Sequence, residues 1–101
     1  MVPVIWAEPA LADLEEIYRF IAKDSPQYAR SMVERLTAAA ARLGDFPQLG
    51  EIVPQFAHRN YRQLAVGAYR LVYREDVAEG RVLVLAAIHG ARDYPPLLEN
   101  R

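Results

Sequence analysis

The residues of this chain that could do chemistry are concentrated in its last third. Tyr69–Arg74 carries two arginines, Arg70 and Arg74, in a strand-like segment, and the apolar run Val82–Ile88 ends directly in His89. Arginine binds phosphate and carboxylate groups through two parallel hydrogen bonds. Histidine can transfer protons near neutral pH. The pattern therefore predicts an anion-binding site at the rim of a sheet, with acid–base chemistry beside it.

Alternation along the strands predicts which of these side chains share a face. Arg70 and Arg74 fall on one face of their strand, together with Val72, and the other face carries Tyr69, Leu71 and Tyr73. In the last strand the same rule groups His89 with Leu83, Leu85 and Ala87. We expect Arg62, Arg70 and His89 to surround one concavity that attracts a phosphate or a carboxylate.

Each candidate also has a structural interpretation. The two strand arginines can be solvated, and His89 can be a buried histidine bonded to a turn carbonyl. Arg92 and Asp93 can form a local ion pair of little energetic value. Tyr94, which precedes two prolines, packs the tail down more readily than it takes part in catalysis.

Other kinds of site are disfavoured. The glycines are scattered without the spacing of a phosphate-binding loop. Two histidines and no cysteine make a poor ligand set for a metal ion. Both serines fall in the helical part of the chain, away from any triad. We expect no cofactor and no metal.

Length and composition indicate one domain, residues 1–101, because 101 residues do not divide into two adequate cores. The chain has no cysteine, no signal-like start and no apolar run near the ~20 residues of a membrane helix. These features predict a cytoplasmic protein without a membrane partner. The net charge of −1 conceals a segment between Glu51 and Glu75 that lacks acidic residues and carries four arginines (Arg59, Arg62, Arg70 and Arg74).

The elements that must position these residues follow from periodicity. Val2–Trp6 predicts a strand, and apolar residues at three- and four-residue spacing predict a helix from Pro9 onward (Leu11, Leu14, Ile17, Tyr18 and Ile21). Ser25 and Pro26 are suited to cap and begin a second helix, which we expect Gly44 to end in a left-handed conformation. The short link makes the two helices a hairpin.

The second half predicts an irregular crossing over Phe46–Asn60, and then three strands: about Tyr61–Ala65, Ala68–Arg74 and Arg81–Ile88. Short turns between these strands indicate an antiparallel meander. The predicted class is α+β with the order β-α-α-β-β-β, in which the helical hairpin covers one face of an antiparallel sheet.

This arrangement resembles the RelE/ParE superfamily of bacterial type II toxins over nearly the whole chain. Three segments carry the resemblance: Tyr61-Arg62-Gln63-Leu64, Tyr69-Arg70-Leu71-Val72-Tyr73-Arg74, and Ala87-Ile88-His89-Gly90-Ala91-Arg92-Asp93-Tyr94. RelE-like members are ribosome-dependent mRNA endoribonucleases, whereas ParE-like members poison DNA gyrase. The third segment is more similar to the ParE-like branch, which we therefore favour over a RelE-like nuclease.

The resemblance also assigns roles. In a nuclease, Arg70 would stabilise the phosphorane and His89 and Tyr94 would transfer protons, but the lysines that many RelE-like enzymes carry on the Tyr61–Leu64 strand are absent here. The residues expected to bind the target or the antitoxin are Arg62, Arg70, Arg74 and Arg92. The resemblance implies DNA gyrase as the target, or the ribosome with mRNA in the alternative. It also implies a cognate antitoxin that forms a hetero-oligomer with the toxin. A third hypothesis is a binding module that keeps only the fold.

Overall fold

A computed structural model describes residues 1–90, 92–95 and 98; the remaining positions of the predicted domain, up to Arg101, lie outside the described residues. Eight elements follow one another: β1 (Val4–Trp6), α1 (Glu8–Ala22), α2 (Pro26–Arg42), β2 (Glu51–Ile52), a 3₁₀ helix (Pro54–Arg59), β3 (Arg62–Val66), β4 (Tyr69–Asp76) and β5 (Arg81–His89). The predicted α+β class and the order of the long elements are confirmed.

Residues of the first turns explain where the two helices of the hairpin begin. Proline lies in the first turn of both helices, where its missing N–H costs no hydrogen bond. The Ser25 side chain accepts a hydrogen bond from the Tyr28 N–H at 3.1 Å, which confirms the predicted cap of α2. In the part of the chain that the structure describes, neither helix has the length and apolar character of a membrane span.

The strands form a mixed five-stranded sheet in the order β1-β5-β4-β3-β2. The meander of β3, β4 and β5 is antiparallel as predicted, but β1 pairs with β5 in parallel. The short strand β2 and the 3₁₀ helix lie within the crossing that the sequence left irregular. Because β5 has a strand on each side at its start, it is a central strand.

Both faces of the sheet are covered by apolar side chains. On one face, which we call the helix face, α2 buries Met32 and Leu36 against Leu71 and Tyr73 of β4. On the opposite face a second cluster joins Val72, Leu85, Ala86 and Ile88 to Val53, Phe56, Tyr61 and Leu98. Each fully buried aliphatic side chain contributes roughly 1.5–3 kcal/mol. Coverage of both faces explains the unbroken apolar sequence of β5.

Gly44 does end α2, but the predicted left-handed conformation is wrong. The described glycines with positive φ are Gly67 and Gly80. Gly44 is instead required by a close approach, because a Cβ there would lie 2.5 Å from the Val2 carbonyl oxygen. The Val2 N–H donates to the Gly44 carbonyl at 3.0 Å, which ties the start of the chain to the end of α2.

Candidate functional site

The strand register places Arg62 and Arg70 on opposite faces of the sheet. Arg62 is opposite Tyr73 and Arg70 is opposite Ala65 in the antiparallel pairing of β3 with β4. Directly opposed residues project to the same face. Arg62 therefore shares the helix face with Tyr73, while Arg70 projects to the other side. The predicted concavity shared by Arg62, Arg70 and His89 is wrong.

A β-bulge in β5 changes the predicted grouping of His89 as well. Val72 is opposite Ala86 but Tyr73 is opposite Val84, so that Leu85 is an extra residue in β5. Leu85 packs in the cluster opposite the helices, whereas His89 is paired with Tyr69 on the helix face. The His89 and Tyr69 rings meet edge to face, with centroids 5.5 Å apart. The expectation that His89 shares a face with Leu85 is therefore wrong.

The Arg70 side chain is held by a cluster of internal contacts. Its Nη1 donates to Gln63 Oε1 at 3.1 Å, and its Nη2 donates to the Arg92 carbonyl. The guanidinium carbon also lies 4.4 Å from the centre of the Tyr94 ring. The Tyr94 hydroxyl donates to the same Gln63 Oε1 at 2.6 Å. We call Gln63, Arg70, the Arg92 carbonyl and Tyr94 the Arg70 cluster.

This cluster fixes the C-terminal segment over the sheet. After β5 the chain turns, with the Arg92 N–H donating to the His89 carbonyl at 3.0 Å. Tyr94 then meets Phe56 edge to face at 5.6 Å, and Leu98 is fully buried in the cluster beneath. Tyr94 therefore packs the segment down, as its structural interpretation predicts. Within the described residues, Arg70 Nε is buried and has no hydrogen-bond partner.

Arg62 is part of a structural network at the far edge of the sheet. Its Nη1 donates to the Gly50 carbonyl at 2.7 Å. The Tyr73 hydroxyl accepts a hydrogen bond from the Gly50 N–H and donates to the Pro47 carbonyl, both at 2.8 Å. Burial raises the pKa of Tyr73 above its ordinary value of 10.0, so the hydroxyl keeps its proton. These bonds join the connector before β2 to the sheet.

Arg74 belongs to a charge cluster at the β4–β5 hairpin. Asp76 accepts a hydrogen bond from Arg81 Nε at 2.9 Å, and Arg74 Nη1 lies 3.7 Å from the same carboxylate. The hydrogen bond from Arg81 holds the pKa of Asp76 below its ordinary value of 3.8. Arg74 is thus compensated locally and lies apart from the Arg70 cluster.

A groove of about 720 Å³ runs between α1, the second half of β5 and the C-terminal segment. Among the predicted candidates, His89 and Arg92 line it. No sequence pattern predicts the role of Asp13, whose Oδ2 accepts the Ala87 N–H of β5 at 3.0 Å. A signal did exist for Phe20, an aromatic residue outside the apolar stripe of α1, which is 69% exposed in the groove wall.

The described residues bring together no group of three or more His, Cys, Asp or Glu side chains suited to a metal ion. What they bring together is an internally bonded arginine on one face of the sheet and, beside the edge of β5, an open groove of mixed charge.

Comparison with known proteins identifies the family. The model of the ParE toxin of the type II toxin–antitoxin system parDE matches residues 4–94. The chain belongs to the ParE toxin family. It is therefore a toxin of the type II toxin–antitoxin class, within the RelE/ParE superfamily that the sequence resembles.

Individual relatives agree with this family. Toxin RelE2 of Caulobacter vibrioides is 37% identical over 92 residues, which cover 91% of this chain and 99% of the relative. The chromosomal ParDE system from P. aeruginosa superimposes with a TM-score of 0.72 at 20% identity, covering 88% of this chain and 96% of the other. The isolated E. coli RelE toxin gives 0.64 at 15% identity, covering 99% and 94% respectively. These structural matches establish the shared fold.

Proposed function

We propose that this ParE-family toxin arrests growth by poisoning DNA gyrase without nuclease catalysis, and that a cognate antitoxin neutralises it in a hetero-oligomeric complex. The proposal agrees with the matching family model, which is that of a ParE toxin. It also agrees with the way in which the candidate nuclease residues are used in the fold.

The observation that carries the proposal is the engagement of Arg70. RNA cleavage by a nuclease of this superfamily requires a base, a cation and an acid around one phosphate. The Arg70 guanidinium is already bonded to Gln63 and to the Arg92 carbonyl, and the Tyr94 ring covers it. A phosphate would have to compete with these internal contacts for the guanidinium.

The proton-transfer residues are also separated. The Tyr94 side chain packs on the face opposite the helices, and its hydroxyl donates to Gln63. His89 is paired with Tyr69 on the helix face. Arg62, which lies where many RelE-like nucleases carry lysine, is bonded to the Gly50 carbonyl. The three groups that the reaction needs therefore do not converge.

Binding of an antitoxin is supported by the relatives. One structural match is the chromosomal ParDE toxin–antitoxin system from P. aeruginosa, and another is the intact E. coli RelBE toxin–antitoxin complex, with a TM-score of 0.61 at 16% identity. The groove beside β5, lined by both acidic and basic side chains, offers a surface for such a partner.

The second candidate is a RelE-like, ribosome-dependent mRNA endoribonuclease. It is kept because the relative at 37% identity bears the name toxin RelE2. In this alternative the C-terminal segment would open on the ribosome and release Arg70.

The test of the proposal is a gyrase cleavage assay with the purified toxin. Toxin should increase the amount of linear DNA that is recovered after gyrase reactions are stopped with detergent and protease, and equimolar antitoxin should abolish the increase. Gyrase that supercoils normally and yields no additional linear DNA at a large excess of toxin would refute the proposal.

The nuclease alternative is tested on a translated message in a purified translation system. Cuts in phase with codons that disappear in His89→Ala would support it. His89 is exposed, so its replacement should leave the fold intact, and circular dichroism of the variant provides the control. Our proposal expects an uncut message.

A further inference from the structure

One exposed edge of α2 carries hydrogen-bond donors and no acidic residue. Its members recur at three- and four-residue spacing, and all of them are exposed: Tyr28, Ser31, Arg35, Ala38 and Arg42. Residues at this spacing lie above one another on one side of a helix. Arginine only donates hydrogen bonds, and tyrosine and serine donate through their hydroxyl groups. We call these five residues the donor edge.

The two arginines of the donor edge have no acidic partner within the protein. In the part of the chain that the structure describes, the ion pairs join Asp76 to Arg74 and to Arg81, at the β4–β5 hairpin. Neither Arg35 nor Arg42 takes part in them. The donor edge therefore presents two positive charges that remain available to an anion.

The acidic residues nearest to the donor edge in the chain do not cancel this charge. Glu34 follows Arg30 by four residues and falls beside the edge rather than on it, and Asp45 lies beyond the end of α2. Both are exposed, and neither forms one of the described ion pairs. Charge is segregated between the two helices, because α2 carries three arginines and one glutamate whereas α1 carries four acidic residues and one arginine.

The geometry of the donor edge is suited to a row of phosphates. The Arg35 guanidinium lies beside the β3–β4 turn, where a Cβ at Gly67 would be 3.2 Å from Arg35 Nη1. Arg42 follows Arg35 by seven residues, which is about 10.5 Å along the helix axis at ~1.5 Å per residue. One strand of a DNA duplex carries a phosphate every ~3.4 Å along its axis, so the two arginines span about three phosphate steps.

We propose that the donor edge of α2 binds the phosphate backbone of duplex DNA. Arg35 and Arg42 pair with phosphates, Tyr28 and Ser31 donate hydrogen bonds to phosphate oxygens, and the small Ala38 side chain lets the helix approach closely. Such contacts position a protein on a duplex without reading its sequence. This inference rests on the gyrase poisoning proposed above, in which the bound duplex is the DNA segment that gyrase cleaves.

The absence of an apolar anchor favours DNA over an acidic protein segment as the occupant. Protein interfaces are centred on buried aromatic or apolar side chains. From Ser31 to Arg42 the donor edge has no such side chain, and the exposed Leu11 and Phe20 belong to α1. DNA needs no anchor of this kind, because the release of counterions from its phosphates supplies the binding free energy.

The first test measures binding of the purified toxin, without gyrase, to fluorescent DNA duplexes of about 20 base pairs at low salt. Two unrelated sequences should bind equally. The logarithm of the affinity should fall with the logarithm of the salt concentration with a slope of about −2, as expected for two neutralised phosphates. Replacing both Arg35 and Arg42 with alanine should weaken binding by at least about tenfold and flatten this slope. Arg30→Ala, on the same helix but outside the donor edge, should change the affinity by less than about twofold.

A charge-preserving variant separates binding from folding. The variant with both Arg35→Lys and Arg42→Lys should bind DNA within about threefold of wild type, because lysine also neutralises a phosphate. Circular dichroism of each variant checks the fold. Wild-type toxin that does not bind DNA at low salt would overturn the proposal, as would an Arg30→Ala variant as weak as the double alanine variant.

Two other outcomes would assign the donor edge to a different partner and would also overturn the proposal. The first is tighter binding to an RNA duplex of the same length than to DNA. The second is a double alanine variant that binds DNA like wild type but no longer binds the antitoxin encoded by the neighbouring reading frame.

The gyrase cleavage assay separates this inference from the proposed function. If wild-type toxin traps gyrase, the double alanine variant should need at least about tenfold more toxin for the same amount of linear DNA, and Arg30→Ala should behave as wild type. Toxin that binds DNA through the donor edge but leaves gyrase unaffected would refute the target alone. Toxin that traps gyrase equally well with and without Arg35 and Arg42 would refute the role of the donor edge alone.

Discussion

Replacing Arg70 with alanine removes the side chain that holds the C-terminal segment against the sheet. The variant loses the hydrogen bonds to Gln63 and to the Arg92 carbonyl, and the contact with the Tyr94 ring. The segment that carries the buried Leu98 is then held by fewer contacts. If Arg70 were instead a catalytic arginine that projects into solvent, its replacement by alanine would remove few of these contacts and would destabilise the fold little.

The magnitude follows from the contacts. A hydrogen bond to a charged group contributes about 1.5–3 kcal/mol, and a cation–π contact at a partly exposed site about 0.5–1 kcal/mol. Because Arg70 is only partly buried and its contacts are coupled, we expect a loss of about 2–4 kcal/mol in the free energy of unfolding. For a domain of this size the midpoint of thermal unfolding should fall by roughly 10–25 °C.

The assay is urea unfolding followed by circular dichroism, with Arg74→Ala as the matched control. Arg74 lies four residues further along β4 on the same face and is 3.7 Å from Asp76, so its removal should cost no more than about 1 kcal/mol. Arg70→Lys keeps the charge but cannot reproduce the forked bonds, and it should fall between wild type and Arg70→Ala. Arg70→Ala as stable as Arg74→Ala would refute the role of the cluster.

Two further predictions concern Gly50, which precedes β2, and Asp76, which ends β4. Gly50→Ala should cost at least about 2 kcal/mol in urea unfolding, because its Cβ would lie 2.4 Å from the Gln63 carbonyl oxygen. Gly80→Asn is the control, because a Cβ at Gly80 would have no atom within 4 Å and asparagine tolerates the φ of 64° that Gly80 adopts. The second prediction uses Asp76→Asn to test whether folding stability is linked to the protonation of the Asp76 carboxylate. The Arg81 bond lowers the pKa of Asp76, so the carboxylate stabilises the fold above pH 3.8, and this contribution is lost as the pH falls through the lower folded-state pKa.

The outcomes that would contradict these two predictions are specific. Gly50→Ala that unfolds at the same urea concentration as wild type would mean that the connector moves away from β3 without cost. For Asp76, the stability difference between wild type and Asp76→Asn should narrow as the pH falls from neutral to below 3.8. A stability difference that stays constant over this range would show that the ionised form of Asp76 contributes nothing to the stability of the fold.

Local chemistry predicted the framework well. Ser25 and Pro26 begin α2 because a cap and a missing N–H act within one turn, and the stripe through Met32 and Leu36 is buried as its period requires. The opposite faces of Arg62 and Arg70 were also accessible from the sequence. A two-residue turn between β3 and β4 fixes which residues are opposed, and this parity separates the two arginines.

Other features depend on long-range packing that no local pattern shows. The bulge at Leu85 changes the face of the residues on either side of it, and nothing in a uniform apolar run marks its position. The bond from Ala87 to Asp13 joins residues far apart in the chain. The closure of the C-terminal segment over Arg70 likewise depends on Tyr94 finding Gln63, a contact that only the assembled sheet creates.

The most direct test of the proposed mode of action is made in cells that are induced to produce the toxin without antitoxin. Gyrase-linked DNA ends and new mRNA 5′ ends are sequenced from the same culture before growth stops. Gyrase trapping predicts that gyrase-linked DNA ends accumulate while mRNA ends in phase with codons stay at their uninduced level. Codon-phased mRNA ends that rise without any increase in gyrase-linked DNA would contradict it.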